Sequence, residues 1–521
     1  MDFSIIDITV FIAYCCLIIG LGLYVSRRVK GREETSSDYF LAGRALPWWA
    51  IGASLIASNI SAEQFIGMSG SGFAIGLGIA SYEWIGAIGL LVVGKFFLPI
   101  FIKTRIYTMP QFLEIRFDGR VRTSLAVFWL LVYVFVNLTS VLYLGALALR
   151  EVLGVNLVHA IIGLALFSAI YSVYGGLKAV AWTDVVQVTF LVFGGLVTTF
   201  LVLREIGAGE GLIAGFENML AAAPEKFDMI LDKGHQYYQY LPGLGVLVGG
   251  MWMANLYYFG CNQYIIQRAL AAKNIREAQR GMAFASFLKL LLPLLVVLPG
   301  IAAFVLGADI SHSDDAYPWL LSHYVGAGLK GLVFAALIAA IVSSLSSMTN
   351  SSSTIFTMDI YKALIRKKAG EKSLVRTGRI TALVVLAVAV VVAPQLRNLD
   401  QAFQFIQDFT GYVTPGVVAI FLAGLFWKRA TANAALVAAV LTIPLSFAFD
   451  LLFPGMAFMD RVGISFLILC AVIAGISLLE GKGISNKAIP IEKSLFRTGR
   501  VFNISSIIVL AILSVIYSLF W

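Results

Sequence analysis

The chain has 521 residues, of which 60% are hydrophobic and 13% charged, with a formal net charge of +9 and a mean hydropathy of +0.89. That composition excludes a water-soluble globular protein, whose surface carries roughly twice this share of charge. The positive balance does not indicate nucleic acid, because there is no basic stripe with interleaved aromatics and the basic residues fall in alternate loops.

Apolar runs long enough to cross a bilayer recur from Ile8 to Trp521. Backbone groups in lipid must be satisfied internally, so runs that are apolar on every face read as helices. The fold class is therefore an all-α polytopic membrane protein. In chain order the expected spans are 8–26, 46–76, 79–102, 123–150, 157–174, 178–204, 240–268, 275–308, 327–362, 376–396, 399–427, 433–453, 460–480 and 504–521, about 14 transmembrane helices in all. Asp2 and Asp7 precede the first run where a cleaved signal peptide carries Lys or Arg, so that run is expected to be retained.

Most of the 38 Lys and Arg lie in every second loop, from Arg27, Arg28 and Lys30 through Arg116, Arg120 and Arg122 to Arg366, Lys367 and Lys368. The intervening loops hold few, and the longest, near residues 205–239, is acidic. By the positive-inside rule both termini lie outside the cell.

Two spans are unsuited to lipid. In the second, Ser58-Asn59-Ile60-Ser61-Ala62-Glu63-Gln64 sits mid-span before Gly67, Gly70, Gly72 and Gly76. In the seventh, Gly243, Gly245, Gly249 and Gly250 precede Asn255 and Asn262. Unwound backbone at membrane depth survives only in protein or beside a cavity, and paired interruptions in two halves point to a transporter binding site. The two spans run in opposite directions, so helices two to six and seven to eleven can form an inverted repeat. The alternative is that the glycines merely permit close helix packing.

Ionisable residues at membrane depth are functional candidates by default, here Glu63, Glu83 and Lys289. A structural ion pair between Glu63 and Lys289 is the competing reading. Asn59, Gln64, Asn255 and Gln407 add amides, and Tyr82, Tyr258 and Phe403 add aromatic surface, the mixture that a polyhydroxylated ring requires. Helix nine carries Ser343-Ser344-Leu345-Ser346-Ser347, whose hydroxyls either bond back to their own helix or offer oxygen to a hard cation such as Na⁺. Unwound carbonyls near Ala57 and Ile60 would complete such a site. Asp184 is expected to complement the dipole at the start of its helix, with an ion role as the alternative. Neither a metal cluster, a nucleophile–base pair nor a cofactor motif suggests an enzyme.

Asp38-Tyr39-Phe40-Leu41-Ala42-Gly43-Arg44, Asn59 through Gly67, Tyr174-Gly175-Gly176-Leu177 and Ile341-Val342-Ser343-Ser344 resemble the solute:sodium symporter family. Ser81-Tyr82-Glu83-Trp84, Ala254 through Tyr258 and Gln263 through Arg268 are similar to its bacterial sodium/galactose (sodium/glucose-type) branch. The resemblance covers essentially the whole chain. It implies Na⁺-coupled symport of a galactose- or glucose-like hexose by alternating access, with Na⁺ as coupling ion and no organic cofactor. It also implies a LeuT-like 5+5 inverted-repeat core in a bacterial inner (plasma) membrane, with a sugar and the lipid bilayer as partners and neither nucleic acid nor a protein partner required. Residues 1–45 would be an extra N-terminal helix, 46–205 the first repeat, 240–427 the second and 428–521 three C-terminal helices.

The implied sugar position comprises Asn59, Glu63, Gln64, Glu83, Asn255, Lys289 and Gln407, with Tyr258 stacked beneath as inner gate and Met68, Tyr82 and Phe403 closing above. The implied Na⁺ position uses the carbonyls of Ala57, Ile60 and Ala340 and the hydroxyls of Ser343 and Ser344. Two residues depart from that branch: Gly86 stands where it has a serine near the sugar, and Phe259 replaces a tryptophan behind the gate.

Overall fold

The computed structural model describes residues 4–27, 33–61, 63–398, 402–481 and 483–521, leaving aside the side chains of Glu63, Glu151, Val152, Arg397, Asn398 and 402–409. Two expected sugar-site residues, Glu63 and Gln407, and the expected gate residue Phe403 therefore have side chains outside the described residues.

The described residues are helical, with one isolated backbone bridge between Leu46 and Ala272. Ten of their helices are long and apolar enough to cross a membrane. The elements used below are, in order, α1 (Ile5–Val25), α2 (Trp48–Asn59), α3 (Ser69–Ala74), α4 (Ser81–Val92), α5 (Met109–Arg116), α6 (Gly119–Leu131), α7 (Leu157–Ile206), α8 (Gly250–Leu256), α9 (Gln263–Leu270), α10 (Ile275–Val305) and α11 (Leu329–Ile355).

Burial sorts these helices into core and lipid-facing sets. The span that begins with α11, Leu329–Ile365, has 94% of its most apolar window buried, whereas α1 has 17% and the last helix, Arg500–Leu519, also 17%. Helix α11 is thus the post around which the others pack, and it can carry its serines because it meets almost no lipid.

The expectation of separate helices over 157–174 and 178–204 is modified. Helix α7 is 50 residues long and reverses its backbone at Gly176, with φ 56° and ψ −152°, so two helices meet without a loop. Only glycine adopts that conformation without strain, and a Cβ there would also lie 2.3 Å from Tyr39 O.

Both suspected interruptions are present. Helix α2 stops at Asn59 with Ile60 extended (φ −81°, ψ 115°), and the chain resumes through a wide turn, Glu63–Met68, into α3. In the seventh span α8 passes through the wide turn Tyr257–Cys261 to an extended Asn262 (φ −82°, ψ 121°) before α9. The seventh span is therefore interrupted twice, within the glycine cluster at Gly249 (φ −102°, ψ −134°) and again at Asn262. Helix α10 packs tightly on α3: a Cβ at Gly300 would lie 2.0 Å from Ser69 O.

Gly176→Ala combines a left-handed backbone with a backbone clash, and is expected to lower stability by about 2 kcal/mol or more. Thermal unfolding of the detergent-purified protein measures it; an unchanged melting temperature contradicts the kink geometry.

Candidate functional site

The first break exposes oxygen. A helix end leaves its last carbonyls without intrahelical partners. At the end of α2, Ser61 N–H, which would otherwise close a turn on Ala57 O, donates to Gln64 Oε1 at 2.8 Å, and Ser61 Oγ donates to the same oxygen at 3.0 Å. Gln64 thereby caps the chain where it rewinds, and the end of α2 is left to external donors.

Those donors come from α11. Four of its seven serines, Ser343, Ser344, Ser346 and Ser347, fall into two kinds. Ser346 and Ser347 bond back to Val342 O (2.8 Å) and Ser343 O (2.7 Å). Ser344 instead reaches Ser58 O and Ile60 O, each at 3.3 Å, and Ser343 donates to Asp184 Oδ1 at 2.6 Å. The back-bonding alternative thus holds for two serines and fails for the two that the resemblance implicates. Ala57, Ile60 and Ala340 are all buried beside them.

Asp184 departs from expectation. It is fully buried, receives Ser54 Oγ and Ser343 Oγ, and lies 3.7 Å from Arg268 Nη2. Its charge is balanced by a guanidinium rather than by a helix dipole. Arg268, at the end of the expected 240–268 span, is itself fully buried, with Nε on Ser54 Oγ at 3.0 Å. Only its place directly after an apolar run hinted at this.

The candidate sugar residues form a second group. Glu83 and Lys289 make a buried ion pair, 3% and 2% exposed, so the partner of Lys289 is Glu83. The Lys289 ammonium also lies 5.1 Å from the Phe259 ring centre, a cation–π contact in a desolvated setting. Asn255 donates Nδ2 to Met251 O at 3.0 Å, and its Oδ1 rests where Gly86 has no side chain: a Cβ there would lie 2.8 Å from that oxygen and 3.2 Å from Phe259. Asn59 is 5% exposed, and its Oδ1 has no hydrogen-bond partner among the described residues. Its buried amide oxygen is thus available for a ligand.

Tyr258 accepts a hydrogen bond from Tyr264 Oη at 2.8 Å and meets Phe259 edge-on at 5.1 Å. It lines a cavity of only about 50 Å³ with Asn59, Asn137, Asn262 and Ser344. A larger cavity of about 550 Å³ opens on the face of the 207–243 segment, lined by Gly67, Tyr82, Tyr237, Tyr240 and Phe304. Met68 is buried. Lys226, which sequence reading passed over as a sparse loop charge, donates to Phe73 O (2.9 Å) and Ala74 O (2.6 Å) at the end of α3, a cation at a helix C-terminus.

The sodium:solute symporter family profile matches residues 39–442. The chain belongs to the sodium:solute symporter family. Among related proteins, this symporter is 53% identical to the sodium/glucose cotransporter of Vibrio parahaemolyticus over 99% of its own length and 98% of that protein's. It is 36% identical to the sodium/myo-inositol cotransporter 2 of Oryctolagus cuniculus over 85% of this chain and 69% of that one. Among solved structures it is similar to a Na⁺-coupled sialic acid symporter in a substrate-bound outward-open state, with TM-score 0.80 and 25% identity, covering 92% of this chain and 98% of the other. The architecture is the LeuT-like one, as expected, and the protein is a membrane transporter rather than an enzyme.

Removing one member of a buried ion pair leaves the other unpaired. Lys289→Met is expected to lower stability by about 3 kcal/mol, and adding Glu83→Gln to restore most of it while transport stays lost. Thermal melting read beside uptake checks both; a double variant no more stable than Lys289→Met contradicts the pairing.

Proposed function

We propose that this symporter carries a neutral hexose of the galactose or glucose type into the cell with Na⁺, by alternating access. In this reading one interruption serves both ligands, and the geometry around it is the observation that supports it. Asn59 and Gln64 flank the turn whose carbonyls face Ser344. Na⁺ favours oxygen ligands, and the carbonyls of Ala57, Ile60 and Ala340 with the hydroxyls of Ser343 and Ser344 supply five. Binding there would draw α11 onto the break and hold Gln64 and Asn59 in place for the sugar.

Sugar recognition falls to Asn59, Glu63, Gln64, Glu83, Asn255, Lys289 and Gln407, with Tyr258 beneath and Met68, Tyr82 and Phe403 above. Fixed carboxylate and amide groups discriminate among hydroxyl patterns because a mismatched hydroxyl leaves a buried polar group unpaired. Gly86 and Phe259 lie against Asn255 and set the shape of that corner. The relatives that act on glucose and on myo-inositol support a polyhydroxylated neutral solute.

In the plasma membrane we place the termini and the 207–243 segment outside, from the distribution of Lys and Arg, with fourteen crossings once the interrupted and kinked helices are counted. On this placement the large cavity would face outward and the small one would lie at the proposed inner gate, Tyr258. The driving force is the Na⁺ gradient plus about 2.3 kcal/mol per charge per 100 mV of potential.

The test is uptake of labelled galactose into proteoliposomes with and without an inward Na⁺ gradient. Wild type is expected to require Na⁺, and Gln64→Ala and Ser344→Ala each to abolish uptake. Na⁺-independent uptake in wild type would contradict symport, whereas Na⁺-driven uptake of another polyol alone would replace the hexose. Gly86→Ser, which displaces the Asn255 amide, is expected to change the ratio of galactose to glucose KM while the Na⁺ dependence stays fixed; an unchanged ratio removes Gly86 from specificity.

A further inference from the structure

Tyr107, Thr108 and Met109, where the chain enters α5, tie together two spans that bear candidate ligands, the seventh span and the one that begins with α11. Directly after the Asn262 interruption, Gln263 accepts Met109 N–H with Oε1 at 2.8 Å and donates Nε2 to Tyr107 O at 3.0 Å. From the far end of the span that begins with α11, Asp359 accepts Thr108 Oγ1 at 3.0 Å. The same carboxylate oxygen takes Arg122 Nε of α6 at 2.8 Å, and Arg122 Nη2 donates to Met358 O at 2.7 Å. Gln263, Thr108 and Asp359 are fully buried, and Arg122 is 8% exposed.

The gate is joined to the same turn. Tyr264 donates to Tyr258 Oη, the Tyr264 ring stands edge-on to Tyr133 at 5.5 Å, and Tyr133 accepts Gln263 N–H at 2.9 Å while donating to Asn262 Oδ1. Displacing Tyr258 and α9 therefore strains Gln263 on Tyr107 and Met109. Moving the end of the serine-bearing span strains Asp359 on Thr108, the residue between them. These bonds are formed while the cavity beside Tyr258 is only about 50 Å³.

We propose that the Tyr107-Thr108-Met109 turn is a coupling latch, with Gln263 and Asp359 as positioning residues that keep the gate closed until both ligand-bearing helices move together. The proposal rests on the symport reading above. Its physical basis is that, in the closed arrangement, Gln263→Met leaves Met109 N–H and Tyr107 O unpaired, and Thr108→Val takes a donor from Asp359 and the cap from Gln111 N–H. Each so shifts the population toward the open one without touching a ligand.

The test uses the full chain in proteoliposomes and labelled galactose as probe. It compares Na⁺-free galactose exchange with Na⁺-driven uptake for wild type, Gln263→Met, Thr108→Val and Thr108→Ser. Gln263→Met and Thr108→Val are expected to raise Na⁺-free exchange roughly tenfold with the galactose KM at saturating Na⁺ unchanged. Thr108→Ser, which keeps the hydroxyl, is expected to behave as wild type. A wild type without Na⁺-driven uptake removes the symport reading and the latch with it. A coupled wild type whose two variants stay as tightly coupled overturns the latch alone, as does loss of galactose binding at saturating Na⁺ in both variants.

Discussion

The hydroxyl of Ser344 lies against the carbonyls of Ser58 and Ile60, where α2 stops with its last turn unclosed. A helix end in the middle of a membrane protein is tolerable only if something other than water satisfies it. Here Gln64 takes the Ser61 donors on one side of the gap, and α11 offers hydroxyls on the other. The single Ser344 hydroxyl is shared between the two carbonyls, and 3.3 Å is long for an O–H···O bond. A cation drawn into the gap would gain carbonyl and hydroxyl oxygens at little cost to the protein.

From that gap the rest of the architecture follows. Helix α11 must be buried to carry polar groups, so other helices surround it, and the N-terminal and C-terminal helices take the lipid-facing positions. Buried charges are then matched across helices, Glu83 with Lys289 and Asp184 with Arg268. Such pairs contribute little net stability against apolar substitutes, but each enforces a particular register between its helices. The Asp184 pair also places a carboxylate beside Ser343, so the hydroxyl that sequence similarity assigns to Na⁺ is held by an anion.

Much of this was legible in the residue order. The broken spans announced themselves through polar and glycine residues within apolar runs, and Ser343 and Ser344 directly follow an apolar run of α11. What stayed hidden is tertiary. Lys289 meets Glu83 because α10 crosses α4, a fact no local pattern encodes. The two helices of α7 meet without a loop because Gly176 turns the backbone against Tyr39, whereas composition alone invites a short connection there. Arg268 reads as one more topological charge until the fold places it opposite Asp184. The glycines before Asn255 combine both readings, since the helix breaks at Gly249 while a Cβ at Gly250 would come within 2.1 Å of the Met459 carbonyl.

The central claim is that one unwound turn links the two ligands energetically, and reciprocity of binding tests it most directly. The quantity to measure is the galactose Kd of the purified protein with and without Na⁺, and the Na⁺ Kd with and without galactose. The account predicts that each ligand tightens the other by the same factor, and that Ser344→Ala abolishes the factor while galactose still binds weakly. A galactose Kd indifferent to Na⁺ in the wild type would contradict it.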